Sequence, residues 1–223
     1  MFGRVARRYD LLNHVLSANL DARWRRLAAE EACVASPTRV LDLCGGTGDL
    51  SLALTRTRSG PRAVVCCDFS HPMLRLAVAK FARKGVAERC ATVEGDALRL
   101  PFDDGTFDAV TVGFGVRNLE DMASGFGEMR RVLAAGGRLV VLEFSHPSGK
   151  VLSRLHALYL KAVVPRLGDG ASGTPGPYRY LARTIAGFPE PDLLAGALRD
   201  AGFGGVGWRP LSGGIVCLHT ALR

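Results

Sequence analysis

Asp42, Gly46, Thr47, Gly48 and Asp49 lie within one short stretch of the chain, between the apolar run Val40–Leu43 and the apolar run Leu50–Leu54. The first run reads as a strand and the second as the start of a helix. A strand, a glycine turn and a helix N-terminus together cradle a nucleotide-like ligand, because glycine lets the backbone turn tightly and leaves bare N–H groups facing the ligand. The dinucleotide spacing G-x-G-x-x-G is met at Gly46 and Gly48, but Ser51 stands at the third position. Asp49 would repel a phosphate at the helix start, whereas it suits a cation such as the amino group of a methionine moiety. The turn therefore points to S-adenosylmethionine.

Two more acids follow at telling distances. Ala63–Asp68 is a short apolar strand that ends in a carboxylate. Asp68 lies about 20 residues beyond the turn, where a ribose-binding acid belongs. Its alternative role is to cap the helix entered at Pro72. Glu94-Gly95-Asp96-Ala97 then places Asp96 and Ala97 after a third strand. There the acid can meet an adenine amino group, the alternative being an ordinary turn.

The elements that position these residues alternate. Strands are predicted near 39–43, 63–68, 90–94, 107–113 and 137–144, with helices near 49–57, 72–84 and 121–134. Strict alternation with apolar strands implies a parallel sheet covered on both faces. Phe203–Arg209 and Ile215–Ala221 are also strand-like, and Leu211-Ser212-Gly213-Gly214 between them predicts a hairpin. Before the first strand, two helices are predicted from Leu11 to Val34, with Asp21 as N-cap of the second. Between the fifth strand and the hairpin lies an insertion, residues 145–200. There Val151, Leu152, Leu155, Leu158, Tyr159, Ala162 and Val163 form a broad helical stripe ended by Pro165. This stripe either packs on the sheet or caps the pocket as an apolar wall. Tyr178 to Leu181 begin another helical segment.

The 223 residues suffice for one domain with a sizeable core, and 48% hydrophobic content is ordinary for a globular fold. There is no run of about 18 or more apolar residues of the kind that spans a membrane. The six cysteines lack metal-ligand spacing and several fall in apolar strands, so neither disulfide nor zinc is expected. The net charge of +8 could serve nucleic acid or an anionic membrane surface, with Arg4, Arg7, Arg8, Arg23, Arg25 and Arg26 concentrated early.

Further blocks carry a family resemblance. They are Phe2-x-x-Val5-Ala6-x-x-Tyr9-Asp10-x-x-Asn13, Leu20-Asp21-x-x-Trp24-Arg25, Gly113-Phe114-Gly115-Val116-Arg117-Asn118 and Leu142-Glu143-Phe144-Ser145-His146-Pro147. Tyr178-x-Tyr180-Leu181, Phe188-Pro189, Ala201-Gly202-Phe203 and Gly213-Gly214-Ile215-Val216 complete the set. Together they resemble the ubiquinone/menaquinone biosynthesis C-methyltransferases, over almost the whole chain. The resemblance implies an α/β, Rossmann-like class I methyltransferase fold. Its sheet is mostly parallel and seven-stranded in the order 3-2-1-4-5-7-6, with an antiparallel C-terminal hairpin strand. It implies one domain over residues 1–223, with 1–35 as a helical lid and 145–200 lining the substrate pocket.

The implied reaction is C-methylation of a prenylated quinol with S-adenosylmethionine and no metal. Demethylmenaquinol would become menaquinol, or a methoxy-polyprenyl-benzoquinol would gain its ring methyl. The cofactor set carries over onto Asp42, Gly46, Thr47, Gly48, Asp49, Asp68, Asp96, Ala97 and Gly113. Some members have serine where Gly113 stands. Arg117 would stabilise the phenolate and Asn118 would position a ring oxygen, unless Arg117 pairs structurally with Glu143 or Asp121. Tyr9, His14, Asp49 and His146 are candidates for the base.

Such a substrate places the enzyme in the cytoplasm, touching the inner face of the cell membrane transiently, with no nucleic-acid partner; a homodimer is open. Family members carry extra residues before the first motif, so part of the lid is expected to be missing or the start to lie upstream. Competing readings are a class I methyltransferase for another small molecule, an RNA methyltransferase, and a non-catalytic S-adenosylmethionine-binding partner. Against the RNA reading stands the lack of an Asn/Asp-Pro-Pro-Tyr motif after the fourth strand.

Overall fold

The computed structural model describes residues 14–147, 149–164 and 177–223. Its centre is a seven-stranded sheet in the order β3-β2-β1-β4-β5-β7-β6. The strands are β1 (Arg39–Leu43), β2 (Ala63–Asp68), β3 (Cys90–Glu94), β4 (Phe107–Gly113), β5 (Leu133–Phe144), β6 (Gly204–Leu211) and β7 (Val216–Leu222). β1 to β5 run parallel, and β7 is antiparallel to both β5 and β6. The expected strand order and hairpin are thus present.

The helices are α1 (Leu20–Ala32), α2 (Asp49–Thr55), α3 (His71–Arg83), α4 (Met122–Val132), α5 (Lys150–Leu158), α6 (Pro177–Ala186) and α7 (Pro191–Asp200). Each strand feeds two cores, because successive side chains point to opposite faces. Val40, Val64, Ala109 and Val140 pack under Trp24, Leu50, Leu54 and Phe81 of α1, α2 and α3. Leu41, Val110, Val112 and Val141 pack on Phe126, Met129, Leu194 and Leu198 of α4 and α7. Burial on both faces explains why these strands read as continuous apolar runs. The six cysteines are free. Burial pushes the Cys67 thiol up to about 12 and the Cys90 thiol to about 11, so both pack as small neutral groups.

Three local expectations are corrected. β5 starts at Leu133 rather than 137. Leu133 pairs with Phe107 and Arg138 with Ala109, so the Ala135-Gly136-Gly137 segment is a bulged start of the strand and not a helix end. Asp21 does not cap α1. Asn19 is at the cap, and Asp21 lies inside the helix, bonded to His14, Ser17 and Arg25. In the insertion, the stripe does not act as one face. α5 continues as a π-helical turn over Tyr159–Val163, and Val151, Leu155 and Leu158 are 74%, 59% and 61% exposed. Pro165 lies outside the described residues, as does the first of the two N-terminal helices up to Asn13.

Candidate active site

A cavity of about 970 Å³ opens at the carboxyl ends of β1, β2 and β4, where open α/β sheets bind ligands. That volume is at the upper end of what holds a drug-sized molecule, so it has room for two ligands side by side.

The glycine turn forms its floor. Gly48 has φ +81°, and a Cβ there would meet the Phe81 ring at 2.5 Å, so the turn tolerates only glycine. Ser51, which broke the dinucleotide spacing, is buried and donates its hydroxyl to Asp42 Oδ2 at 2.5 Å. Thr111 Oγ1 donates to Asp42 Oδ1 at 3.3 Å. Asp42 has no exposed surface and secures α2 to the sheet, and it stands among the residues that line the cavity. Burial pushes its carboxyl up to about 6.

Asp68 ends β2 at the cavity wall. Its Oδ2 accepts the Gly46 N–H and its Oδ1 the Ser70 N–H, each at 2.8 Å. These bonds aim the carboxylate and tie β2 to the turn, while burial holds its carboxyl above the usual range. Asp68 therefore both caps the approach to α3 and faces the cavity. Asp96 and Ala97 lie further along the same wall, with Asp96 Oδ1 accepting the Leu98 N–H at 2.9 Å.

Asp49 faces the cavity too, but it is not a lone acid. Lys80 of α3, nearly buried, donates to Asp49 Oδ1 at 2.5 Å and to Thr47 Oγ1 at 3.1 Å. The cation expected to come from a ligand is in part supplied by the protein. Nothing in the local sequence of the turn signals this, because Lys80 is 31 residues away.

The Gly113–Asn118 block leaves β4 and turns sharply. Phe114 has φ +61° and Cys44, at the neighbouring end of β1, has φ +55°. A Cβ on Gly115 would meet Cys44 Cβ at 2.4 Å, which explains the glycine between Phe114 and Val116. Gly113 faces Leu50, whose Cδ2 would lie 3.1 Å from an added Cβ. Arg117 is 3% exposed and pairs with the 1% exposed Glu143 at 2.8 Å. Its Nη1 also donates to the Phe114 carbonyl, and the guanidinium lies 5.2 Å from the Phe144 ring centre. Its Nε is buried and has no hydrogen-bond partner among the described residues. Asp121 instead caps α4, accepting from Ala123 and Ser124. Asn118 takes the Tyr180 hydroxyl on Oδ1 at 3.2 Å.

Helices complete the cavity. α1 brings Trp24, which contacts Phe114 at 6.2 Å between ring centres and donates to Ser212 Oγ at 2.9 Å. From the insertion come His156, Tyr159, Leu160 and Val164, then Leu181 and Ile185 of α6. Burial, with His146 nearby, lowers the His156 imidazole below its ordinary value.

The base candidates separate. His146 does not line the cavity; its Nε2 is 3.0 Å from the Phe188 carbonyl. His14 is bonded through Nδ1 to Asp21, and its Nε2 lies 4.0 Å from Asp49. Tyr9 lies outside the described residues. Glu143 was named from sequence as a structural partner of Arg117, whereas His156 was not singled out. His156 is one residue of an apolar helix with no motif around it.

The arrangement fits S-adenosylmethionine. A carboxylate stands at the end of β2, glycine backbone without side chains lines the turn, its Gly46 N–H already held by Asp68, and an acid stands after β3. Among solved structures, a [4+2]-cyclase, SpnF, matches at 18% identity and TM-score 0.68, covering 91% of this chain and 80% of that one. An S-adenosylmethionine-dependent methyltransferase of Thermotoga maritima matches at 20% identity and TM-score 0.65, covering 99% and 97%. These likenesses show the fold.

Sequence relatives are nearer. The demethylmenaquinone methyltransferase of Thermus thermophilus is 45% identical over the full length of both chains. That of Deinococcus radiodurans is 48% identical, over 91% of this chain and 83% of its own. The ubiquinone/menaquinone biosynthesis C-methyltransferase of Pectobacterium carotovorum is 40% identical, over all of this chain and 89% of its own. The model of the ubiE/COQ5 methyltransferase family matches residues 1–223, so the chain belongs to that family and is an S-adenosylmethionine-dependent methyltransferase.

Proposed function

We propose that the chain methylates a ring carbon of a prenylated quinol, demethylmenaquinol in the first place, at the inner face of the cell membrane. The observation that carries this reading is the cavity's division into a polar floor and an apolar helical wall, with Arg117 and Asn118 among its lining residues. Likeness to enzymes named for demethylmenaquinone supports the choice of quinol. The methoxy-polyprenyl-benzoquinol is the second reading, favoured by the relatives named for both pathways.

In this reading, Asp68 holds the ribose hydroxyls, Asp96 and Ala97 the adenine, and Gly46, Thr47 and Asp49 the methionine end. When bound, S-adenosylmethionine supplies an electrophilic methyl group. The chain's own work is to make the quinol carbon nucleophilic and to hold it in line. A ring hydroxyl must lose its proton. Asp49 has its Oδ1 engaged by Lys80. His156 is held neutral by burial and lines the cavity, so it takes the proton on a ring nitrogen. The resulting phenolate sits beside Arg117, whose positive charge stabilises it. Asn118, fixed by Tyr180, orients the second ring oxygen. A cation already fixed in place by Glu143 and the Phe114 carbonyl stabilises the phenolate without reorganising.

Incubating the protein with S-adenosylmethionine and reduced demethylmenaquinone, and in parallel with the demethylated methoxy-benzoquinol, tests this by mass. One added methyl on either quinol supports the reading and chooses the substrate. No product on either, with S-adenosylmethionine bound, sinks it.

A further inference from the structure

α5 and the π turn after it present two apolar faces, and only one is used by the cavity. His156, Tyr159, Leu160 and Val164 look inward. Val151, Leu155 and Leu158 recur at helical spacing on another face and are all well exposed. A folded chain rarely leaves three large aliphatic side chains in one exposed row without a partner. Arg154, between Val151 and Leu155 on α5, and Lys161, in the π turn that follows, are also exposed. Between Lys150 and Val164 the sequence has three basic residues and no acidic one. An apolar row on a helical stretch that carries cations and no acid of its own matches the interfacial region of an anionic bilayer, whose headgroups take the cations and whose acyl boundary takes the aliphatic row.

We propose that α5 is the membrane-docking element of this protein, seating Val151, Leu155 and Leu158 in an anionic lipid surface with Arg154 and Lys161 at headgroup level. The helix would then separate bilayer from active site by its own thickness, since its opposite face lines the cavity. A long apolar tail could remain in lipid contact along α5 while its ring sits by Arg117. This use of the surface rests on the prenylated-quinol reading, but the docking itself does not.

The test is sedimentation of the full chain with vesicles of phosphatidylcholine and phosphatidylglycerol, against phosphatidylcholine alone, with no quinol present. Wild type should bind the anionic vesicles. The triple variant Val151→Ser, Leu155→Ser, Leu158→Ser should lose about tenfold or more of that binding, and Arg154→Glu with Lys161→Glu a comparable amount. Both variants should bind S-adenosylmethionine and methylate a tail-less quinol as wild type does, which shows that they are folded. Vesicle binding by the triple variant equal to wild type would overturn the proposal, as would a wild type that stays in solution. So would loss of binding only on replacing Arg4, Arg7 and Arg8. A fall from dimer to monomer mass in the triple variant would assign the row to a second copy instead. If neither prenylated quinol is methylated by wild type, the substrate reading fails while the vesicle result still decides the docking.

Discussion

The two walls of the cavity are built by different physics. The floor is a polar network strung between strand ends: Asp68 to Gly46 and Ser70, Lys80 to Asp49 and Thr47, and Asp42 to Ser51. The roof is a set of helices that contribute aliphatic and aromatic surface with a few polar groups, His156 and Tyr180 among them. A network of fixed hydrogen bonds suits a ligand that is always the same, the methyl donor. A loosely specified apolar wall suits a ligand with a long, uniform tail. Arg117 stands at the seam, gripped by Glu143 from the sheet and by the Phe114 carbonyl.

If this division is right, damage to the floor should abolish donor binding, and damage to the roof should spare it. Asp68→Ala is the severest test. It removes a half-buried carboxylate proposed to make two charge-assisted bonds to ligand, each worth roughly 1.5–3 kcal/mol, and frees the Gly46 N–H. S-adenosylmethionine affinity by calorimetry should fall by about a thousandfold. A fall under about tenfold would move the ribose elsewhere.

Next comes Asp42, which the division treats as scaffold. Its carboxyl shifts from 3.8 to about 6 on folding because burial disfavours the charge. A raised carboxyl favours the fold below about pH 4, and that advantage is lost as pH rises through 6, worth roughly 3 kcal/mol. Asp42→Asn should remove this loss. Denaturant unfolding of both proteins at about pH 4.5 and pH 7.5 would show wild type losing stability relative to the variant over that window. Parallel curves would mean that Asp42 stays ionised and has another partner.

The same division explains what could be read from sequence. The floor lies on strand ends whose offsets are fixed by the sheet, so Asp68, Asp96 and the glycine turn were visible as local patterns, and so were all seven strands. Lys80 was missed because its partner is reached only when α3 packs beside α2. Asp21 was misread as a cap because Asn19 takes the cap position in the left-handed region, which puts Asp21 in the first turn with His14, Ser17 and Arg25 as its partners. In the insertion, periodicity showed an apolar helix but not which flank would pack, since Val151, Leu155 and Leu158 look the same in sequence as residues that line a pocket. The start of β5 was hidden by two glycines that read as a helix stop and instead make a bulge.

Arg117→Lys probes the seam. It keeps the charge opposite Glu143 but loses the fork and the Nε donor. Turnover should drop about a hundredfold with donor affinity within about twofold of wild type. Weakened donor binding of the same size would place Arg117 in the floor.

His156→Gln should have the smallest effect and the most informative shape. A base must be unprotonated to act, and burial with His146 nearby lowers the His156 value below 6.5. Wild-type kcat should therefore hold as pH falls to about 6.5 and decline only below it, as the imidazole takes up its proton before the quinol can give one. The glutamine variant cannot accept that proton, so its kcat should be about tenfold to a hundredfold lower near neutrality and should lack the acid limb. Its donor affinity should be unchanged, because α5 belongs to the roof. An unchanged acid limb in the variant would assign the proton to Asp49, whose pairing with Lys80 would then have to break during the reaction, and the basic chemistry would belong to the floor after all.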